Sequence, residues 1–204
     1  RMIDDLTVGF SGTSTCETIR AGVIGEIGTS SPMHPDEEKV LRASALAHRE
    51  TGASINVHLP IFAREGHNVL NLLEQEKVDL GRVALSHLDE ALDPDYHLEL
   101  AKRGAFIEFD CFGSEFYFDE DGLREPSDHE RIELLLRLMD AGFTSQILLS
   151  QDACTKLHLT EFGGFGYGHI LRTIIPRLRA RGVDNSTLEQ LIQVNPANFL
   201  YQSA

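Results

Sequence analysis

Five short apolar segments, residues 21–27, 53–59, 82–87, 105–111 and 147–152, recur along the chain with helical patterns between them. Runs this continuously apolar suit strands covered on both faces, so each reads as a buried parallel strand. The intervening helices carry their own punctuation. Pro35-Asp36-Glu37-Glu38 opens a helix that stops before Gly52, its acidic first turn facing the positive end of the helix dipole. A weaker helix runs from Asn68 to Lys77, and Asp93-Pro94 starts one that Gly104 terminates. Ser127 and Glu130 form a capping box ahead of Ile132, Leu135, Leu136 and Met139, one buried face ending before Gly142. Ser186 and Glu189 open a late helix with Leu188, Leu191 and Ile192. With no linker or low-complexity stretch, residues 1–204 read as one α/β domain with parallel pairing. A barrel and a doubly wound sheet both satisfy this pattern.

The informative residues are those that break the apolar rule. Glu26, His58, His87 and Asp152 each lie at or near the carboxyl end of a predicted strand. In parallel α/β folds that edge binds ligands, and in a barrel it closes into a ring. Their offsets of 32, 29 and 65 residues fit one, one and two βα units. Two imidazoles and two carboxylates at one rim ask for a common partner, since burying such groups unpaired is costly. A divalent cation is one answer, with zinc, manganese, iron and cobalt all suited to the donor set. Asp152 would then take a proton from activated water. Ion pairing or hydrogen bonding among the four is the other.

Charge narrows the partners. There are 32 acidic against 18 basic side chains, a formal charge of -14, and no basic run. Nucleic acid and anionic membranes are therefore poor partners, and a small neutral or cationic substrate suits the surface better. The apolar runs are too short to span a bilayer and no signal-peptide pattern opens the chain, which points to the cytosol. Cys16, Cys111 and Cys154 form no CxxC pair and read as reduced thiols.

Gly25-Glu26-Ile27-Gly28, Asn56-Val57-His58, Leu85-Ser86-His87-Leu88-Asp89, Phe109-Asp110-Cys111-Phe112-Gly113 and Leu149-Ser150-Gln151-Asp152, in this order, resemble the phosphotriesterase family of the amidohydrolase superfamily. The tail, Gly163-Gly164-Phe165-Gly166-Tyr167, Ile175-Pro176-Arg177-Leu178 and Asn195-Pro196-Ala197-Asn198-Phe199-Leu200, is similar to the closing segment of its phosphotriesterase-related branch. The resemblance implies a (β/α)8 barrel holding two divalent metals, usually zinc, bridged by hydroxide that attacks an ester, lactone or amide carbonyl or a phosphoryl centre. It implies that His58 and His87 ligate the second metal, that Asp152 ligates the first and serves as base, and that Glu26 bridges both where many members carry a carbamylated lysine. It also suggests a homodimer. The family's first strand ends in a His-x-His pair, which is absent from this sequence. The expected fold is accordingly an incomplete barrel, strands four to eight. Cys111 stands where phosphotriesterases place a relay histidine, Glu90 near a relay aspartate, and Phe112 beside the specificity position, so these three are expected to meet substrate. A thiol does not repeat imidazole's proton shuttling, which favours carbonyl over phosphotriester chemistry.

His158 and His169 follow the last strand and are further candidates for touching substrate, whereas His34, His48, His67, His97 and His129 read as surface residues. Gly163 to Gly166 reads as an active-site loop and Asp119-Glu120-Asp121 as a solvated turn. The rival to an enzyme is a catalytically silent barrel segment that only packs against a partner.

Overall fold

The computed structural model describes residues 1–10, 19–118 and 122–200. All five predicted strands are present: β1 (Ile24–Gly28), β2 (Ile55–His58), β3 (Val83–Ser86), β4 (Phe106–Phe109) and, after a short antiparallel hairpin of β5 (Tyr117–Phe118) and β6 (Leu123–Arg124), β7 (Ile147–Leu149). The main sheet is parallel throughout and runs β1-β2-β3-β4-β7, each strand beside its neighbour in sequence. A doubly wound sheet would reverse its order at a switch point. None occurs here, so the order is the sequential one of the incomplete (β/α)8 barrel that the family resemblance implies. The strands are shorter than the apolar runs because their last residues leave the ladder: His87 and Asp152 adopt positive φ, 62° and 37°, just beyond β3 and β7.

The helices α1 (Met2–Thr7), α2 (Pro35–Thr51), α3 (Gly66–Gln75), α4 (Pro94–Lys102) and α5 (Asp128–Asp140) pack Leu41, Leu70, Leu73, Leu100 and Leu135 against the sheet residues Ile55, Leu85 and Ile107. No helix of the described residues is long and apolar enough to cross a membrane. The caps follow their sequence signals. Asp93 accepts the Tyr96 amide (3.2 Å), and Ser127 and Glu130 satisfy each other's backbone N–H. One cap differs from expectation. Helix α7 (Asn185–Glu189) starts from Asp184, whose carboxylate accepts the Thr187 amide at 3.0 Å, and Ser186 donates its hydroxyl to that carboxylate. An ionised carboxylate is the stronger acceptor, and it sits two residues earlier. Wide i→i+5 turns at Ile170–Ile174 and Gln190–Val194 lead directly into α6 (Ile175–Ala180) and α8 (Asn195–Leu200), each with proline as its second residue. Proline has no N–H and crowds the carbonyl four residues back, and the wider turn makes room.

Two histidines expected on the surface are buried. His48 holds the Ala53 carbonyl at 2.8 Å, and His97 faces the Leu88 and Asp93 carbonyls at 2.7 and 2.5 Å. Both rings spend their polarity on backbone groups of the connections between strands and helices, His48 also facing the Asp79 amide at 3.3 Å. Cys111 and Cys154 are free thiols. Cys16 and the Asp119-Glu120-Asp121 turn lie outside the described residues.

Beyond the carboxyl end of β4 the chain is fixed by buried charge. Asp89 and Arg131 are both fully buried, with guanidinium Nε 3.0 Å from the carboxylate. Asp89 also accepts the backbone amides of Asp110 (3.3 Å) and Cys111 (3.0 Å), and Arg131 donates to the Ser114 carbonyl at 2.6 Å. Asp128 accepts the Gly113 amide (2.8 Å) and pairs with His169 at 2.6 Å. Gly113 has φ 89°, and an added Cβ would stand 3.0 Å from the His169 ring, so only glycine fits where this loop turns beneath that histidine. Residues 110–114 are thus held from three sides.

Removing one partner leaves the other charge buried and uncompensated. Arg131→Met is expected to cost about 3–5 kcal/mol of stability, read from urea unfolding midpoints. The α5 cap gives a pH signature. Glu130 is held down at about 2, first by the Arg124 guanidinium and then by the Ser127 amide and hydroxyl, against an ordinary 4.5. A folded value below the ordinary one means that ionised Glu130 stabilises fully above pH 4.5 and loses this as pH falls toward 2. Glu130→Gln is expected to flatten that part of the stability–pH curve, measured by the same midpoints.

Candidate metal centre

Parallel pairing in register sets Gly28 beside His58 and His58 beside Ser86, so the ends of β1, β2 and β3 share one edge. Glu26 projects from β1, His58 closes β2, and His87 follows β3. One donor atom of each lies within 4.8 Å of the others. Glu26 Oε1 is 3.4 Å from His58 Nδ1 and 3.2 Å from His87 Nε2, and those two nitrogens are 2.8 Å apart. The rings meet edge to face, 4.4 Å between centroids.

The other nitrogen of His87 is already committed. Nδ1 stands 3.1 Å from Asp110 Oδ2, and the same carboxylate accepts the His87 backbone N–H at 2.9 Å. A carboxylate behind an imidazole fixes its tautomer and turns Nε2 toward whatever the ring faces. Burial works against a charged His87 ring, but the hydrogen bond and charge of Asp110, with Glu26 and Asp152 beyond, outweigh it and hold the ring up at about 9. The site therefore favours positive charge at the point where the three donors meet. Two imidazole nitrogens, a carboxylate oxygen and an outer carboxylate already bonded to one ring fit a divalent cation of the zinc type.

Asp152 lies outside this tight group. It lines, with His58 and His87, a cavity of about 240 Å³. Of the four strand-end residues expected to converge, three are in contact and the fourth shares the cavity wall. Glu90 and Cys111 also line this cavity and both are buried. Burial raises Glu90 to about 7, with Glu125 and Asp89 pushing the same way against the Cys111 thiol and Arg131. Cys111 sits 3.5 Å from Asp110 and is driven far up by burial and by the acids around it, so it stays a thiol. Phe112 differs from expectation: it is 1% exposed, lies in the core against Phe109, and is not part of the cavity wall, where Phe116 stands instead. Of the two later histidines His158 lines the cavity, whereas His169 is buried against Asp128.

Asp110, Asp89 and Arg131 are the residues sequence reasoning passed over. Asp110 carried a readable signal, an acid directly after an apolar strand. A second polar group, Glu108 with Asn56 (2.7 Å) and Ser86 (2.8 Å), sits mid-strand on a separate cavity of about 400 Å³ that Glu26 also lines.

Residues 1–200 match the profile of the Phosphotriesterase family. The N-acetyltaurine hydrolase of Xenopus tropicalis is 34% identical over 202 residues, covering 98% of this chain and 57% of that protein. The crystal structure of a resiniferatoxin-binding protein from Rhodobacter sphaeroides superposes with a TM-score of 0.89 at 39% identity, over 99% of this chain and 57% of that one. A mutant of the phosphotriesterase-like lactonase of Deinococcus radiodurans gives 0.83 at 31% identity, over 98% and 62%. The chain thus spans well under two thirds of the length of each of these proteins. Its sheet order, its strand-edge histidines and the match across nearly all its residues place it in one family: the chain belongs to the phosphotriesterase family.

Proposed function

We propose that this chain carries the greater part of a divalent-metal site of a hydrolase acting on an ester, lactone or amide carbonyl. The observation that carries the reading is the meeting of Glu26, His58 and His87 within 4.8 Å, with Asp110 turning His87 toward the other two. Glu26, His58 and His87 would hold the ions, two in number and zinc, manganese, cobalt or iron in kind, as the family resemblance implies, with Asp152 as a further ligand. A bound divalent cation supplies Lewis-acid polarisation of the substrate oxygen and lowers the pKa of water toward about 7.

The chain's own residues do the rest. Asp152, on the wall of the same cavity, accepts the proton of the attacking water. Asp110 keeps His87 from rotating and holds the ring proton on Nδ1, which leaves Nε2 turned toward Glu26 and His58. Cys111, held as a thiol, relays no proton, which supports carbonyl substrates over phosphotriesters. The hydrolase and lactonase among the relatives support the reaction class.

The test is metal content and affinity of the purified chain. Zinc or manganese should bind, and Glu26→Ala or His58→Ala should lower the affinity at least tenfold with the fold intact by circular dichroism. Unchanged metal content in both variants would contradict the reading. Asp110→Asn, which keeps the shape but weakens the hold on His87, is expected to weaken metal binding by about 10–100-fold. A panel of lactones, aryl esters and N-acyl amino acids, assayed with and without added zinc, checks the reaction class.

A further inference from the structure

Glu108 is an acid that the metal centre leaves unused. It stands within β4, and its carboxyl meets side chains of the two preceding strands. Oε2 is 2.7 Å from Asn56 Nδ2 and 2.8 Å from Ser86 Oγ, while Ser86 Oγ is 2.9 Å from Asn56 Oδ1. Three polar groups thus close a triangle in which every side is of hydrogen-bond length.

Each side needs a hydrogen. Asn56 supplies one toward Glu108, but the Ser86 hydroxyl has a single proton for its two contacts. An ionised carboxylate is an acceptor alone, so the remaining side would set lone pair against lone pair. A proton on Glu108 Oε2 closes the ring: Asn56 donates to Glu108, Glu108 to Ser86 and Ser86 to Asn56. Turning the Asn56 amide over reverses the direction of the ring and still requires that proton. Burial pushes the Glu108 carboxyl up and Glu26 adds to this, against the Ser86 and Asn56 hydrogen bonds and the His87 ring. Asp110 is a further acid acting on Glu108, and the cavity wall from β7 and α8 carries no charged group.

The ring sits one layer below the metal donors. Asn56 is two residues before His58 and so on the same face of β2, Ser86 directly precedes His87, and Glu108 is two residues before Asp110, which grips His87. Backbone pairing of β3 with β4 joins Ala84 to Phe106 and Leu85 to Ile107. The next rung, Ser86 and Glu108, is tied through side chains. The triangle therefore carries the register on to the point where His58 and His87 leave their strands.

We propose that Glu108 is a positioning residue held as a neutral carboxylic acid, whose ring with Asn56 and Ser86 fixes the ends of β2, β3 and β4 so that His58 and His87 face one another. The consequence for metal affinity rests on the hydrolase reading; the placement of the two imidazoles does not.

The test follows the ring nitrogens of His58 and His87 by NMR in the metal-free chain, with zinc affinity measured separately. Glu108→Gln is neutral and brings two amide hydrogens to the place of Oε2, so it is expected to leave both readouts as they are. Glu108→Leu breaks the ring and is expected to shift both sets of resonances and to weaken zinc binding by about tenfold or more. Ser86→Ala, which removes two sides of the triangle, should do the same, and decides the matter if Glu108→Leu does not fold. Near neutral pH the infrared carbonyl band of protonated carboxyl groups should lose intensity in Glu108→Gln. Unshifted ring resonances in Glu108→Leu and Ser86→Ala, a Glu108→Gln variant as damaged as Glu108→Leu, or an unchanged infrared band would overturn the proposal. If the unaltered chain binds no zinc, the hydrolase reading fails and the ring resonances still decide the role of Glu108.

Discussion

Everything in this molecule depends on parallel strands paired in sequence order. Because each strand lies beside its predecessor and points the same way, the residue that ends one is set beside the residue that ends the next. Residues 61 positions apart in the chain, Glu26 and His87, thereby approach to 3.2 Å. No local propensity does this; it is a consequence of topology, and it turns polar residues that would weaken each strand singly into one site.

The pairing alone would leave those side chains loosely held. Their rigidity comes from the charge buried behind them. Asp89 takes the amides of Asp110 and Cys111, Arg131 pins Asp89 and the Ser114 carbonyl, and Asp110 in turn grips His87 by both its backbone and its ring. The same acids that order the rim make it hungry for positive charge. The acids around His87 hold its imidazole up at about 9, so positive charge is favoured where the three donors meet. Order and chemistry here have a single electrostatic source.

Much of this was legible from residue order. Apolar runs bounded by turn residues marked all five sheet strands, and Ser127 with Glu130 marked the start of α5 to the residue. The strand-end rule found Glu26, His58 and His87, and the same rule applied to the strand at 105–111 would have found Asp110. What stayed hidden was non-local. Asp89 and Arg131 sit on different elements, and nothing in the spacing of either announces a buried pair. His48 and His97 look like ordinary helix surface until the carbonyls of Ala53 and Leu88 are seen beside them. Phe112, one residue past Cys111, turns into the core because the loop bends there at Gly113, and a one-residue change of direction is beyond what periodicity resolves. Three glutamates read alike in sequence yet differ in the fold: Glu26 is half-exposed at the donor cluster, Glu90 is buried on the cavity wall, and Glu108 lies mid-strand among Asn56 and Ser86.

The central claim is that Glu26, His58 and His87 jointly hold a metal ion, and the most direct measurement is zinc K-edge X-ray absorption of the zinc-loaded chain. The account predicts a shell of imidazole nitrogen and carboxylate oxygen at about 2.0–2.2 Å with no sulfur. A zinc–sulfur distance near 2.3 Å, which would move the ion to a cysteine, or a spectrum of fully hydrated zinc, would contradict it.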